Sequence, residues 1–220
     1  MTPARRIPVL ALAAILGGLT ACHHAASAPL MAPGAGIVGA GSAEAIAAAD
    51  RQAASWTPAD AEFMTGMIPH HAQAVVMARW CPTHGARRDV ALFCEKIVVA
   101  QTDEIRLMSR WLGERKLPVP DSLSTRHVMK MGDMVHEMLM PGMMTDEQMA
   151  ELDKARGSEF DRLFLIGMIR HHEGAISMVN ELFEQDGAGQ EDVVFRFATD
   201  VLADQSAEIE RMKVMLESMP

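Results

Sequence analysis

The feature that most limits how this chain can fold is a stretch of 18 residues that occurs twice. The sequence DAEFMTGMIPHHAQAVVM begins at Asp60, and the sequence DRLFLIGMIRHHEGAISM begins at Asp161. Asp, Phe, Gly, Met, Ile, both His, Ala and the final Met match between the copies. Self-similarity of this kind predicts two copies of one structural unit, each burying the same face.

Each copy is followed by a second matching segment, QTDEIRLM from Gln101 and QSAEIERM from Gln205. Apolar residues recur every three or four positions, which is typical of amphipathic helices. Each repeat is therefore predicted to be a helix, a turn and a second helix. Two such hairpins bury their apolar faces most simply as an antiparallel four-helix bundle, so the sequence predicts an all-α fold.

Local signals predict where these elements begin and how the chain is divided. Thr57 stands before Pro58, and Ser158 stands at the matching position of the second repeat, so both are predicted N-caps. The predicted divisions are a lipoprotein signal peptide (1–21), a flexible tether with a lead-in helix (22–56) and the bundle (57–220). Within the bundle we predict repeat one (57–117), a Met-rich helical connection (118–157) and repeat two (158–220).

The amino terminus carries an export signal. Arg5 and Arg6 precede an apolar run that is too short to span a bilayer as a mature helix. The run ends in Leu-Thr-Ala before Cys22, a pattern that resembles a bacterial lipobox. We predict lipidation of Cys22 and a location in the bacterial cell envelope, anchored on the periplasmic side or at the cell surface. The alternative is an ordinary signal peptide with an incidental cysteine.

Charge excludes one class of partner. The formal net charge is −9, and the chain has no basic cluster, so nucleic acid is not an expected partner. The expected partners are a metal ion and, through the anchor, a membrane. The sequence leaves a protein partner and a homo-oligomer open.

The matched histidines are the strongest candidates for chemistry. His70 and His171 share a helix face with the apolar residues of their repeats, and His71 and His172 lie about 100° around the helix. Four buried imidazoles without partners would be costly, which favours a metal site over purely structural histidines. Methionines stand one turn before and about two turns after each His pair on the same helix. Their thioether sulfurs are soft ligands that favour copper. The predicted metal ligands are His70, His71, His171, His172, Met67, Met168, Met77 and Met178.

The second helix of each repeat adds matched polar groups. In a folded hairpin these residues come level with the His pair, where they can accept the second ring N–H. They are Gln101, Glu104, Gln205 and Glu208. The two halves differ directly before the histidines, where Pro69 in repeat one corresponds to Arg170 in repeat two.

Two further sets of residues stand between the helices. The chain has 19 methionines, and many of them lie in the connection, where they either fill gaps in the core or bind Cu(I). The additional candidate ligands are Met138, Met140, Met143, Met144, His127 and His136.

Cys81 and Cys94 flank the first hairpin turn, and an exported location favours a disulfide over free thiols.

The paired Met-Ile-x-His-His motifs, with GMMTDEQMAEL from Gly142, resemble the domain-of-unknown-function 305 family of exported bacterial proteins. The resemblance covers residues 58–219 and implies a ferritin-like four-helix bundle. It also implies copper binding, since some members are periplasmic copper-binding proteins of copper resistance. The family's signature histidines correspond to His70, His71, His171 and His172.

These observations predict a non-enzymatic protein that sequesters or hands on copper, with silver as a mimic. One alternative is a dinuclear iron or manganese oxidase of ferritin-like type, although its Glu-x-x-His pairs are missing from the helices. Another is a metal-free interaction protein of the envelope, with the histidines as core or pH-sensitive groups.

Overall fold

The computed structural model describes residues 55–131 and 134–219. The predicted signal peptide, the lipidation site Cys22 and the predicted tether with its lead-in helix lie outside the described residues, apart from positions 55 and 56. Within the described part, none of the helices is both long enough and apolar enough to cross a membrane.

Five helices and one small hairpin of strands make up the described chain. In order they are α1 (Pro58–Arg79), α2 (Arg88–Glu114), β1 (His127–Met131), β2 (Met134–Met138), α3 (Asp146–Lys154), α4 (Ser158–Glu184) and α5 (Asp192–Glu217). Helices α1 and α2 pack as one antiparallel hairpin, and α4 and α5 pack as the other. The predicted helical hairpins are confirmed.

The start of α1 follows from its sequence, whereas the start of α4 does not. The Thr57 side chain accepts from the backbone N–H of Asp60, and the Asp60 carboxylate accepts from Thr57 in return. In α4 the N-cap is Gly157 rather than the predicted Ser158. The Asp161 carboxylate instead accepts the backbone N–H of Arg87, because the first hairpin turn packs there.

The two hairpins meet where α1 packs against α4. Buried side chains form two apolar clusters, one around Phe63, Trp111 and Phe197 and one around Phe93 and Phe164. Every His of the two His-His pairs is fully buried among these side chains. The contact between the hairpins therefore brings the matched motifs of the two repeats to the centre of the molecule.

The prediction that the Met-rich connection is helical is wrong for residues 127–138. Strands β1 and β2 pair antiparallel there, with His127 opposite Met138. The physical reason lies in the sequence, where Met or His occupies every second position of both strands, a period typical of β-strands. The sequence between the strands is Gly-Asp, a pair typical of tight turns. Helix α3 begins at a capping box of Thr145 and Gln148, as the sequence predicts.

Candidate metal centre

An imidazole pair occupies the contact between α1 and α4. His70 and His171 are fully buried, and their ring centroids lie 3.8 Å apart. His70 Nε2 is 3.0 Å from the carbonyl oxygen of Pro141, and His171 Nε2 is 3.0 Å from the carbonyl oxygen of His70. Because a carbonyl oxygen only accepts, each Nε2 carries the proton and each Nδ1 keeps a free lone pair.

A second imidazole pair faces α2 and α5. His71 Nε2 lies 2.9 Å from Glu104 Oε2, and His172 Nε2 lies 2.8 Å from Glu208 Oε2. The His172 contact is a hydrogen bond, whereas the His71 N–H is not aligned with its carboxylate. Both rings are fully buried, but the side chains of Glu104 and Glu208 are 22% and 26% exposed. Each carboxylate therefore joins a buried ring to the protein surface.

The four rings share an unpartnered Nδ1, although only three of them, His70, His171 and His172, have a hydrogen-bonded Nε2. Within the part of the chain that the structure describes, none of the four Nδ1 atoms has a hydrogen-bond partner. Burying an unpartnered ring nitrogen is costly, so four of them at matched positions need an explanation. An Nε2–H held by a carbonyl or carboxylate, with Nδ1 left free, is the state in which histidine binds a metal ion.

Burial also keeps the central rings neutral. Desolvation, together with the neighbouring His71, lowers the pKa of His70 from 6.5 to about 3. Burial and the facing His70 hold the pKa of His171 well below its usual value. Neutral imidazole is the form that donates a lone pair to a metal, so these two residues are ready to bind without first losing a proton.

The predicted polar residues of α2 and α5 line a cleft between those helices. The cleft has a volume of about 300 Å³, and Gln101, Glu104, Gln205 and Glu208 all border it. Among the described residues, the buried Gln101 side chain has no hydrogen-bond partner at either polar atom, and Gln205 Oε1 has none either. Desolvation and then the nearby Glu104 raise the pKa of Asp204 in the same cleft. The cleft thus presents carboxylates and amides beside His71 and His172.

A short segment of the connection crosses the imidazole pair from another side. Residues 140–144, Met-Pro-Gly-Met-Met, are here called the strap. The amide of Gln73 holds it at both polar atoms: Nε2 donates to the Met144 carbonyl at 2.9 Å, and Oε1 accepts the Met144 N–H at 2.7 Å. The Pro141 carbonyl reaches His70, as described above. Gly142 has a φ of +77°, which favours glycine.

The strap depends on Gln73 and Gly174, which are not among the matched residues of the two repeats. A Cβ on Gly174 would overlap the carbonyl group of Pro141, so only glycine leaves room for the strap there. Gln73 and Gly174 occupy the same position of the two repeats, directly before the matched Ala74 and Ala175. Because nine of the 18 aligned positions differ between the repeats, the sequence alone does not single out this one.

The predicted methionine ligands lie partly on helices α1 and α4 and partly in the strap. Met67 and Met168, one turn before the histidines, are fully buried. Met178 and Met77 each reach across to a glycine of the opposite helix, Gly66 and Gly167 respectively. In the strap, Met140 also contacts Gly66 and Met144 contacts Gly167, whereas the Met143 sulfur accepts the Met140 backbone N–H at 3.3 Å.

The remaining candidates belong to the first hairpin and to strands β1 and β2. Cys81 and Cys94 form a disulfide with a Cα–Cα distance of 6.5 Å. Met138 is 45% exposed in β2. His127 is buried in β1, where desolvation lowers its pKa and nearby Glu62 opposes that effect. The side chain of His136 lies outside the described residues.

The side chains are not arranged as a closed site. Across residues 55–131 and 134–219, no three His, Cys, Asp or Glu side chains converge on one metal position. The candidate ligands that come together are the rings of His70 and His171, whose centroids lie 3.8 Å apart. Two imidazoles with sulfur nearby suit an ion of low coordination number, such as Cu(I), better than one that needs several oxygen ligands.

Solved structures with the same fold include metal-bound ones. A DUF305 protein of Streptomyces coelicolor, described as secreted, is 28% identical, with a TM-score of 0.61, covering 73% of this chain and 93% of that one. A DUF305 fragment from Deinococcus radiodurans is 26% identical, with a TM-score of 0.59, and the match covers 74% of this chain and 97% of the fragment. CopM in its Cu(I)-bound form is 26% identical, with a TM-score of 0.54 and the same coverage; Cu(II)-bound and silver-bound forms of CopM also match.

Sequence comparison adds a relative and a family. An uncharacterised protein of Acanthamoeba polyphaga mimivirus is 34% identical over 58 residues, which span 26% of this chain and only 38% of the viral protein. The family model described as a domain of unknown function, DUF305, matches residues 60–216, which include both His-His motifs and both helical hairpins. This chain belongs to the DUF305 family.

Proposed function

We propose that this protein binds copper as Cu(I), with silver as a mimic, at the buried imidazoles of its two repeats. The observation that carries the proposal is the set of four buried Nδ1 atoms without partners, on rings whose Nε2 atoms face oxygen acceptors. His70 and His171 are the central ligands, and His71 and His172 are additional ligands on the side of the cleft. Met67 and Met168 are the adjacent sulfur donors.

The copper-bound and silver-bound forms of CopM support this choice of metal, because this chain shares the CopM fold at 26% identity. We also infer a ferritin-like four-helix bundle, in which α1, α2, α4 and α5 enclose the site. Sequestration or transfer of copper in copper homeostasis fits a protein whose donors are buried but joined to the surface through Glu104 and Glu208.

A dinuclear oxidase fits the donors less well. Such sites need carboxylates that bridge two metal ions, with Glu-x-x-His pairs on the helices. Here Glu104 and Glu208 are the carboxylates beside the imidazoles, and each faces the proton-bearing Nε2 rather than the free Nδ1. Thioethers hardly serve iron or manganese.

The test is a Cu(I) titration of the full chain against a competing chelator in the absence of oxygen. The variant replaces His70, His71, His171 and His172 with Ala, and the matched control is His84→Gln. His84 is also a buried histidine with oxygen acceptors at Nε2, but its Nδ1 already lies 2.9 Å from the hydroxyl oxygen of Thr83. We expect the wild type and the control to retain tight binding and the fourfold variant to lose it. Equal binding by a fourfold variant with native helical circular dichroism would leave the histidines a structural role only.

We further propose that Cys22 carries a lipid anchor that holds the protein in the cell envelope. Its position after Leu-Thr-Ala supports this, as does a DUF305 relative described as secreted. The Cys22→Ala variant should be found in the soluble periplasmic fraction or remain unprocessed. Unchanged membrane fractionation of that variant would contradict the anchor.

A further inference from the structure

Two pairs of methionines meet over matched glycines of the repeats. A Cβ built on Gly66 would lie 2.8 Å from the methyl carbon of Met140 and 3.5 Å from that of Met178. A Cβ built on Gly167 would lie 2.9 Å from the sulfur of Met144 and 3.4 Å from the methyl carbon of Met77. In each pair one methionine comes from the strap and the other from the opposite helix, so each glycine leaves room for two thioethers.

The pair over Gly66 borders a cavity with acidic walls, although Met178 itself is buried. Met140 and Met178 border a cavity of about 500 Å³, whose wall also includes the carboxylates of Glu62 and Glu181. Both of these glutamates are exposed, and Met140 is partly exposed. Carboxylates at the mouth of a cavity raise the local concentration of cations, and two thioethers then select a soft monovalent ion.

The pair over Gly167 has the same sulfur atoms but lacks the acidic surroundings. Met144 borders a smaller cavity of about 120 Å³, whose wall includes both the guanidinium of Arg170 and the carboxylate of Glu151. These two charges cancel, so this cavity does not attract cations as the first one does. Met144 and Met77 are both buried, whereas Met140 is partly exposed. The pseudo-symmetry of the fold thus supplies a natural control for the first pair.

Chain connectivity joins the acidic pair to the imidazoles. Met140 is followed directly by Pro141, whose carbonyl oxygen faces His70 Nε2 at 3.0 Å. An ion held by Met140 therefore lies one residue along the strap from the group that orients His70. The sulfur of Met143, by contrast, already accepts a backbone N–H.

We infer that Met140 and Met178 form a second metal site, a two-thioether site selective for Cu(I) and Ag(I), at which monovalent metal first binds before it reaches the histidines. The transfer step rests on the proposed function, but the site itself needs none of the four histidines. An experiment can therefore show that metal does not bind at Met140 and Met178 independently of whether it binds at the imidazoles.

The experiment uses the full chain labelled with ¹³C at the methionine methyl groups and titrated with silver nitrate in chloride-free buffer. Silver needs no reductant, so the Cys81–Cys94 disulfide stays intact. We expect the methyl resonances of Met140 and Met178 to shift as Ag(I) is added, in the wild type and in the fourfold His→Ala variant alike. Resonances of Met140 and Met178 that do not move at saturating Ag(I) would overturn the proposal.

Paired variants measure the stoichiometry. Met140→Leu with Met178→Leu preserves apolar volume and removes both sulfurs, and should lose one bound Ag(I) relative to the wild type. Met144→Leu with Met77→Leu is the matched control and should lose none. Loss of an ion from the control pair, or no loss from the Met140 and Met178 pair, would contradict the assignment. If the fourfold His→Ala variant binds as many Ag(I) ions as the wild type while the Met140 and Met178 variant loses one, the imidazole site is contradicted and the thioether site is supported.

Discussion

At the scale of single residues, hydrogen bonding decides which nitrogen of each imidazole is free. His70 and His171 have a backbone carbonyl at Nε2, and His71 and His172 have a carboxylate there. The proton is therefore kept away from Nδ1 in the three rings whose Nε2 donates a hydrogen bond, those of His70, His171 and His172. Two different kinds of acceptor produce the same result, which is what a site built from imidazole lone pairs requires.

The same burial makes the metal-free protein sensitive to acid. The pKa of His70 is about 3 in the folded chain and about 6.5 when unfolded, and that of His171 is also lowered. Between these values the unfolded chain binds a proton that the folded chain does not. The free energy of unfolding should therefore fall as pH falls below about 6.5, by up to about 1.4 kcal/mol per pH unit for each ring.

Urea unfolding of the metal-free protein between about pH 7 and about pH 5 measures this slope. The His70→Leu, His171→Leu double variant should lose stability less steeply over that range, because it lacks the two rings that resist protonation. Parallel slopes for the wild type and the variant would show that these imidazoles are protonated as easily in the folded state as in the unfolded state.

At the scale of elements, the strap is the piece that joins the connection to the imidazoles. It is held by the Gln73 amide on α1 and by close backbone contact with Gly174 on α4. Helix α4 can accept it only because position 174 has no side chain. The strap therefore depends on a position at which the two repeats differ, Gln73 against Gly174.

Gly174→Ala should displace the strap, because the new methyl group would overlap Pro141. Crowding of this kind typically costs about 1–3 kcal/mol. Gly113→Ala in α2 is the matched control, since a Cβ there meets no atom within 4 Å. It should be neutral or stabilising by up to about 1 kcal/mol. Denaturant unfolding measures both, and equal stability of the two variants would contradict the close contact.

The first hairpin turn is closed by the disulfide between Cys81 and Cys94, which are 13 residues apart. In the chain-entropy model, a loop of this size stabilises the fold by about 3 kcal/mol. Aerobically purified protein should therefore show no free thiol from this pair when unfolded without reductant, and reduction should lower its melting temperature. Two titratable thiols in unreduced protein would be the contrary result.

At the scale of the whole molecule, local patterns were enough to predict the helices and the pairing of the motifs. The apolar period predicts the helical hairpins, and the capping boxes at Thr57 and Thr145 mark true helix starts. The strap could not be predicted, because its contacts join residues about 70 positions apart and follow no period. The β-hairpin departs from the helix that the propensity of methionine favours, because pairing between the two strands decides the structure there.

The central claim is that imidazoles from both repeats hold one copper ion. X-ray absorption at the copper edge tests it most directly, on the full chain with Met140→Leu and Met178→Leu, loaded with a single equivalent of Cu(I). We predict nitrogen scatterers with the outer-shell pattern of imidazole, and loss of that pattern when His70 and His171 are also replaced by Leu. A first shell of oxygen or sulfur alone, or an imidazole pattern that survives that replacement, would contradict the account.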